Sequence, residues 1–174
     1  FCVKLFEEHE DIRLIYSKNF KYILVDEFQD TNFIQNKWLN LLVNEKQNIC
    51  CVGDDDQSIY SWRGAEIKNF LTFDKIYKDC KVFKLEQNYR STKNILETAS
   101  TLISNNINRV GKNLWSSASQ GEMVKLNCYQ TGKEEAEGVS DIIEHKLKKK
   151  YSLNDVSILV RAIYQTRELE ERFL

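Results

Sequence analysis

Two kinds of apolar patterning alternate along the chain, and the switches between them mark out its elements. Val3, Leu5, Phe6, Ile12, Leu14 and Ile15 recur among charges at mostly helical spacing, which predicts a helix ending near Ser17 to Asn19. The period then changes. Tyr22-Ile23-Leu24-Val25 is a continuous apolar run, the pattern of a strand buried on both faces of a parallel sheet. Asp30 and Thr31 are candidate caps for a following helix with Phe33, Ile34, Trp38, Leu41 and Leu42 on its apolar face. Asn48 to Val52 predicts a second buried strand, closed by Gly53. A helix is predicted from Gly64 to about Asp79, and alternation from Lys81 to Leu85 predicts a third strand. Ser91 and Thr92 are candidate caps for a helix reaching about Ile107, and the Asn-, Gly- and Ser-rich stretch from Asn105 to Gly121 has the composition of a linker. Beyond it the pattern predicts a strand from Met123 to Tyr129, a charged helix from Glu134 to Lys150, a buried strand from Val156 to Val160 and a helix from Gln165 onward. Strands alternating with helices imply an α/β architecture with a mainly parallel sheet.

Composition narrows the classes without choosing one. The 174 residues are 42% hydrophobic and 29% charged, enough to build a core. No apolar run approaches the ~20 residues of a bilayer-spanning helix, so no membrane partner is expected. Twenty-five Lys and Arg against 26 Asp and Glu leave a net charge of -1. That excludes a global basic field, so an anionic partner has to be held by a local site. The length suits one domain or two small ones. The chain begins at Phe1, its only methionine is Met123, and no signal-peptide pattern is present, so it reads as a piece of a longer cytoplasmic protein. Five cysteines with no C-x-x-C pair, two of them adjacent in an apolar run, favour reduced, buried thiols over disulfides or zinc. His9 and His145 lie in charged runs and read as solvated surface residues.

In parallel sheets ligands bind beyond the carboxyl ends of the strands, so the residues just past each apolar run are the first candidates for chemistry. After the first strand stand Asp26 and Glu27. Two carboxylates on a rigid strand tip can divide the work of hydrolysis, one taking a magnesium ion through its water shell and the other orienting or deprotonating a water. The plainer alternative is that Asp26 or Asp30 only caps the next helix. After the second strand comes Gly53-Asp54-Asp55-Asp56-Gln57-Ser58-Ile59-Tyr60-Ser61-Trp62-Arg63-Gly64-Ala65. Three carboxylates in a row repel phosphate, which leaves them capping, metal-water contact or pairing with a base. The neutral amide of Gln57 can donate to a phosphoryl oxygen and accept from an attacking water. Tyr60, Trp62 and Arg63 combine two aromatics with a guanidinium, the equipment of a sequence-tolerant single-strand binder, unless they are simply core rings and a surface cation. After the third strand, Arg90 can neutralise charge on a transferring phosphoryl group and Tyr89 can lie on a base; the alternatives are a salt bridge from Arg90 to Glu86 and a buried ring.

Taken in order and spacing, three runs resemble helicase motifs II, III and IV of the UvrD/PcrA/Rep family of superfamily 1. They are Val25 to Asn32, Val52 to Ala65 and Leu85 to Thr92. The likeness extends to Lys112-Asn113-Leu114-Trp115 and to Ile158 through Glu171, nearly the whole chain. The resemblance implies a P-loop NTPase fold, with RecA-like parallel sheets belonging to two motor domains. ATP would be hydrolysed between them to drive 3' to 5' movement on single-stranded DNA and unwinding at single-strand/duplex junctions, in DNA repair or replication and with repair proteins as possible partners. By position, Asp26 would bind the magnesium of Mg-ATP, with Glu27 beside it as the base. Gln57 would couple the γ-phosphate to the DNA site, where Tyr60, Trp62 and Arg63 hold the strand. Tyr89 would pack near the adenine and Arg90 would act as an arginine finger. Residues 1–88 would close the first motor domain and residues 89–174 open the second.

The sequence also departs from the family. Ser61 stands where Gly or Arg is more usual, and Ile163 stands where Asn is usual, which weakens any DNA role for Arg161 or Arg167. No G-x-x-x-x-G-K-[ST] occurs, so the chain reads as the middle of a helicase that would not hydrolyse ATP alone. Two other classes compete: a non-catalytic module that binds single-stranded DNA or a protein through the Trp62 loop, and, less well supported, a metal nuclease built on the acidic run.

Overall fold

The computed structural model describes residues 1–77, 79–107 and 109–174. It comprises two compact units, Phe1–Met123 and Val124–Leu174. The helix predicted to Asp79 and the linker predicted from Asn105 each include one residue, Lys78 and Asn108, outside the described set.

The first unit opens with α1 (Cys2–Glu8) and α2 (Glu10–Asn19) rather than one helix. The break is at His9, whose φ of -128° and ψ of 88° take it out of the helical region. The turn lets Phe6 bury itself against Tyr16, with ring centroids 5.5 Å apart. β1 (Ile23–Val25) and β2 (Ile49–Cys51) then pair in parallel, with Ile23 opposite Ile49 and Val25 opposite Cys51. Between them runs α3 (Phe33–Leu42), which makes this a β-α-β unit. Asn32, one residue later than predicted, caps α3: its Oδ1 accepts from the Gln35 N–H and Gln35 Oε1 accepts from the Asn32 N–H, both at 2.9 Å.

Both strands are half-shielded, not buried on both faces. Ile23, Val25, Ile49 and Cys51 are partly covered, but Leu24 on the opposite face is 80% exposed and Cys50 is also open. The cysteines depart from expectation in the same way, for Cys2, Cys50 and Cys128 are exposed. Cys51 is the more sheltered thiol, and burial, reinforced by Cys50 and Cys80, pushes it up to about 12, so it stays protonated and unreactive.

The helix expected from Gly64 to Asp79 is two short ones, α4 (Ile67–Leu71) and α5 (Phe73–Ile76). Thr72 interrupts them, its hydroxyl turned back onto the Lys68 carbonyl at 2.8 Å. Phe70 and Phe73, on either side of the break, both reach Phe28, with centroids 6.5 and 5.4 Å away. Phe73 in turn stacks on Tyr77 at 4.6 Å.

Lys81–Leu85, Met123–Tyr129 and Val156–Val160 are not strands among the described residues. A strand exists through its ladder, and these segments have no neighbour to pair with there; Leu85, Leu126 and Leu159 accordingly stand open at 84%, 92% and 94% exposure. The stretch taken for a linker is instead bound down. Trp115 bridges to Gln87, and the first N–H groups of α6 (Lys93–Ile103) donate to the carbonyls of Ser119 and Gln120. Thr92 holds the N-cap position of α6 without a side-chain cap. In the second unit α7 (Gly132–Lys148), capped by the Thr131 hydroxyl, packs on α8 (Thr166–Phe173), and Ala136 and Ser140 are its buried residues. Among the described residues no helix is long and apolar enough to cross a membrane.

The reciprocal cap at the start of α3 is testable. Asn32→Ala removes the acceptor for the Gln35 N–H and is expected to lower stability by about 1 kcal/mol, whereas Asn32→Asp keeps it and loses little. Urea denaturation of the two variants checks this.

Candidate functional site

The site is organised by the way β1 ends. Backbone bonds from Val52 N to the Val25 carbonyl (2.8 Å) and from Phe28 N to the Val52 carbonyl (3.0 Å) carry the pairing past both strands. Between them the chain turns sharply at Glu27, whose φ of 50° and ψ of 43° lie in the left-handed region. A non-glycine residue there is strained by an amount of order 1 to 3 kcal/mol, and such strain persists only where the surroundings impose it. Here it is imposed by the turn Phe28–Asp30: Phe28 and Gln29 are each 1% exposed, the most deeply buried large side chains among the described residues. Burying these two leaves Asp26 and Glu27 exposed at the strand tip. Asp26 Oδ1 accepts from the Glu27 N–H at 2.9 Å, and Glu27 Oε2 accepts from Gln29 Nε2 at 2.7 Å. Neither Asp26 nor Asp30 caps α3, which disposes of the plainer reading of this run.

The second strand delivers the acidic run to the same place. Gln29 Oε1 accepts from the Asp54 N–H at 3.0 Å, which joins the two strand ends through one side chain. Asp54 caps the turn Asp55–Gln57 by accepting from Asp56 N at 3.0 Å, and its Oδ2 accepts from Gln57 Nε2 at 2.7 Å. The three aspartates lie within 4.8 Å of one another, and cations from the stretch 109–112 meet them. Arg109 makes a bidentate pair with Asp56, Nε to Oδ1 at 2.8 Å, while Lys112 pairs with Asp54 and also stands 3.6 Å from Asp56. Asp55 accepts from the Val110 N–H at 2.7 Å. Of the roles the sequence left open for this run, capping and pairing with bases are the ones it fills. Burial alone would raise Asp54, but the hydrogen bonds from Lys112 and Gln57, the Lys112 charge and the Asp56 N–H hold it below the ordinary carboxylate value.

From Gln57 the chain runs directly into the aromatic loop. Trp62 is 72% exposed, so it is not a core ring. Arg63 lies over both aromatic faces, its Cζ 4.6 Å from the Trp62 ring centre and 5.0 Å from that of Tyr60. Gly64, at a φ of 85°, closes the turn, and Ala65 bridges back to Asn32 while Glu66 N donates to the Thr31 carbonyl at 3.0 Å. The loop therefore hangs from the segment just past the carboxylates.

Tyr89 and Arg90 are both exposed; the Tyr89 hydroxyl donates to Gln87 Oε1 at 2.8 Å, and Asn88 Oδ1 accepts from the Arg90 N–H at 2.9 Å. Glu86 is engaged by the Asn113 N–H at 2.8 Å, not by Arg90. Among the described residues no hydrogen bond or ion pair joins Tyr89 or Arg90 to Asp26, Glu27 or Gln57. Sequence reasoning did not find Gln29, Arg109 or Lys112 as parts of the site. The last two had no local signal, because their partners lie more than 50 positions away.

Paired carboxylates on a parallel strand tip, an amide-bearing turn joined to them and a cation-backed aromatic loop thus follow one another within an α/β unit. The chain belongs to the UvrD/REP helicase family: the family model of the UvrD/REP helicase N-terminal domain matches residues 1–78, and that of the UvrD-like helicase C-terminal domain matches residues 83–174. It is 46% identical over 172 residues to a probable DNA helicase II homolog of Rickettsia conorii, a match covering 98% of this chain and 26% of that protein. It is 45% identical over 174 residues to the ATP-dependent DNA helicase PcrA of Staphylococcus epidermidis, covering 99% and 24%, and 44% identical over 171 residues to DNA helicase II of Haemophilus influenzae, covering 98% and 23%. The chain thus spans about a quarter of the length of these curated relatives.

The acidic cluster makes a prediction about acid sensitivity. A carboxylate held below its ordinary value contributes stability that is present above about pH 4 and is lost as the pH falls through its folded value. Lys112→Met removes much of the attraction that holds Asp54 down, so the variant should be less stable than the wild type at neutral pH. The gap should narrow as the pH is lowered from about 4 through the depressed value of Asp54, below which the group is protonated in both. Urea titrations at several pH values measure it.

Proposed function

We propose that this chain forms the centre of an ATP-dependent DNA helicase that moves 3' to 5' on single-stranded DNA and opens duplex at junctions, in DNA repair or replication. It would carry parts of two RecA-like motor domains. The observation that carries the reading is continuity. One hydrogen-bonded path runs from Glu27 through Gln29 to Asp54 and Gln57, and the next residues are the exposed Tyr60-Trp62-Arg63 loop. A motor needs this kind of connection between the group that senses phosphate and the group that grips the strand.

Within this reading Asp26 and Glu27 divide the hydrolytic work. An exposed carboxylate at a strand end suits magnesium, which keeps most of its waters and takes one or two carboxylates together with substrate phosphates. Asp26 would hold that ion, and the ion would supply charge neutralisation at the β- and γ-phosphoryl oxygens. Glu27, hydrogen-bonded by Gln29 and turned off the strand by its left-handed backbone, would take the proton of an attacking water. Gln57 would read the γ-phosphate with its amide and pass the state of the site along its own turn. Arg90, exposed and unpaired with Glu86, would reach the transferring group as a finger, and Tyr89 would lie against the adenine. The 174 residues contain no phosphate-cradling G-x-x-x-x-G-K-[ST] run, so the remaining phosphate contacts would come from other parts of a longer polypeptide. The open runs at Lys81–Leu85 and Val156–Val160 would find strand partners there too.

Two measurements on the full-length protein test the proposal. Glu27→Gln should reduce DNA-stimulated ATP turnover by roughly 10²- to 10⁴-fold while leaving nucleotide affinity nearly intact, since it removes a base but keeps shape and hydrogen bonding. Near-normal turnover would show that Glu27 is not the base. Separately, Trp62→Ala should weaken binding to oligonucleotides of any sequence by about 1 to 3 kcal/mol. It should leave the melting temperature unchanged, because the ring is already in water. Loss of DNA affinity in Trp62→Ala, from a full-length wild type that shows no DNA-stimulated ATP turnover, would instead favour a strand-binding module without catalysis.

A further inference from the structure

The most deeply buried polar side chain in the first unit is one the sequence gives no reason to single out. Gln29 is 1% exposed, yet it stands two residues after the exposed Glu27 and directly before the partly exposed Asp30. A buried carboxamide with unmet hydrogen bonds is costly, and this one spends its capacity on two groups. Nε2 donates to Glu27 Oε2 at 2.7 Å, and Oε1 accepts from the Asp54 N–H at 3.0 Å. The partners fix the orientation of the amide, because the carboxylate can only accept and the backbone N–H can only donate. Flipping the amide would break both bonds at once.

The room for this bridge is made by Gly53. A Cβ on that residue would lie 2.5 Å from Gln29 Oε1, 2.9 Å from the Phe70 ring and 3.2 Å from Phe28 N. The amide, Phe28 and Phe70 thus close around a residue that has to lack a side chain. Glu27 is held from two sides: its backbone by the left-handed turn, its carboxylate by the amide. Asp54, at the other end of the bridge, holds Gln57.

We infer that Gln29 is a positioning residue for hydrolysis, which aims the Glu27 carboxylate and locks it to the Gly53–Gln57 loop. The inference rests on the proposed role of Glu27 as the base. Gln29 touches no reacting atom. It acts by removing the rotamer freedom of Glu27, and with it the chance that an exposed glutamate swings away from the water it has to deprotonate.

The test uses the full-length protein and two substitutions. Gln29→Glu keeps the acceptor for Asp54 N–H but replaces the donor facing Glu27 with a second carboxylate oxygen. Gln29→Met keeps length and apolar packing and loses both bonds, so it reads the same contact if a buried carboxylate prevents folding. Each is assayed below its own melting temperature. The expected result is a fall in kcat of about 10- to 100-fold, with KM for ATP and affinity for oligonucleotide changed by no more than about twofold. A merely structural role would lower binding and turnover together. In a Glu27→Gln background, single-turnover hydrolysis should show no further loss from Gln29→Met, since there is no base left to aim. Wild-type kcat in a folded Gln29 variant, while Glu27→Gln is inactive, would overturn the inference and leave the role of Glu27 standing. So would a loss from Gln29→Met that persists undiminished in the Glu27→Gln background. Normal turnover in Glu27→Gln would remove the base itself, and the inference with it.

Discussion

Burial of Phe28 against Phe70 and Phe73 is the constraint on which the rest of the site depends. The residue comes directly after two carboxylates that must stay in water, so the chain has to pass from full exposure to full burial across one peptide. It does so by placing Glu27 in the left-handed region, and the strain of that turn is offset by the transfer of a phenyl ring out of solvent, about 1.5 to 3 kcal/mol. The helices on either side of Thr72 each contribute one ring to that packing, Phe70 from α4 and Phe73 from α5. Gln29 enters the interior as the neighbour of Phe28, and its two hydrogen bonds are what make that tolerable. A strained carboxylate and a buried amide are thus two consequences of one packing choice.

The acidic run poses the opposite problem, too much charge in one place. At an effective dielectric of about 20, a pair of like charges about 5 Å apart costs roughly 3 kcal/mol, and three aspartates within reach of one another make three such pairs. Arg109 and Lys112 answer with attractions at shorter range, and Lys112 and Asp56 are only 17% and 13% exposed, so solvent screens them little. The local balance falls from three negative charges to one. In the proposed function that lower residual matters for Gln57, since an uncompensated cluster next to it would repel a phosphoryl group more strongly. The same ion pairs fasten the stretch that composition alone marks as a linker.

Legibility in the sequence tracked the range of the interaction. Strand tips, the aromatic loop and the order of the motifs are local, and Asp26, Glu27 and Trp62 stand where the patterning put them, exposed at the end of an apolar run or on a turn. The helix breaks at His9 and Thr72 were hidden because neither residue is a strong breaker by propensity; the first goes with the packing of Phe6 on Tyr16 across the turn, and the second with the Thr72 hydroxyl turned onto the Lys68 carbonyl. The strands predicted at Lys81–Leu85 and Val156–Val160 carry the right pattern, but a ladder is a property of two segments and the pattern reports only one. Arg109 and Lys112 were unreadable for a similar reason, as nothing near them in the chain announces Asp54 or Asp56. Gln29 was misleading in a different way. It lies inside the run Val25 to Asn32, but nothing in that run marks it as buried, and only the fold shows that it enters the interior beside Phe28.

The exposed indole gains its meaning from how it is held. A large aromatic ring in water is ordinary when it sits singly, but one that must stack on a base needs a fixed orientation before the base arrives, or the stacking energy is consumed in ordering the loop. Here the Arg63 guanidinium spans both rings at 4.6 and 5.0 Å, and the turn is closed by Gly64 and by the Ala65 bridge to Asn32. Asn32 is also the cap of α3, and Thr31, which accepts from Glu66, is itself hydrogen-bonded to the Phe28 carbonyl at 2.7 Å. Any force a bound strand exerts on Trp62 therefore loads the turn that carries Phe28 and Gln29 by a path only a few residues long. Because that turn sets the backbone of Glu27, the proposed grip on the strand and the proposed aim of the carboxylate rest on one hydrogen-bonded piece of chain.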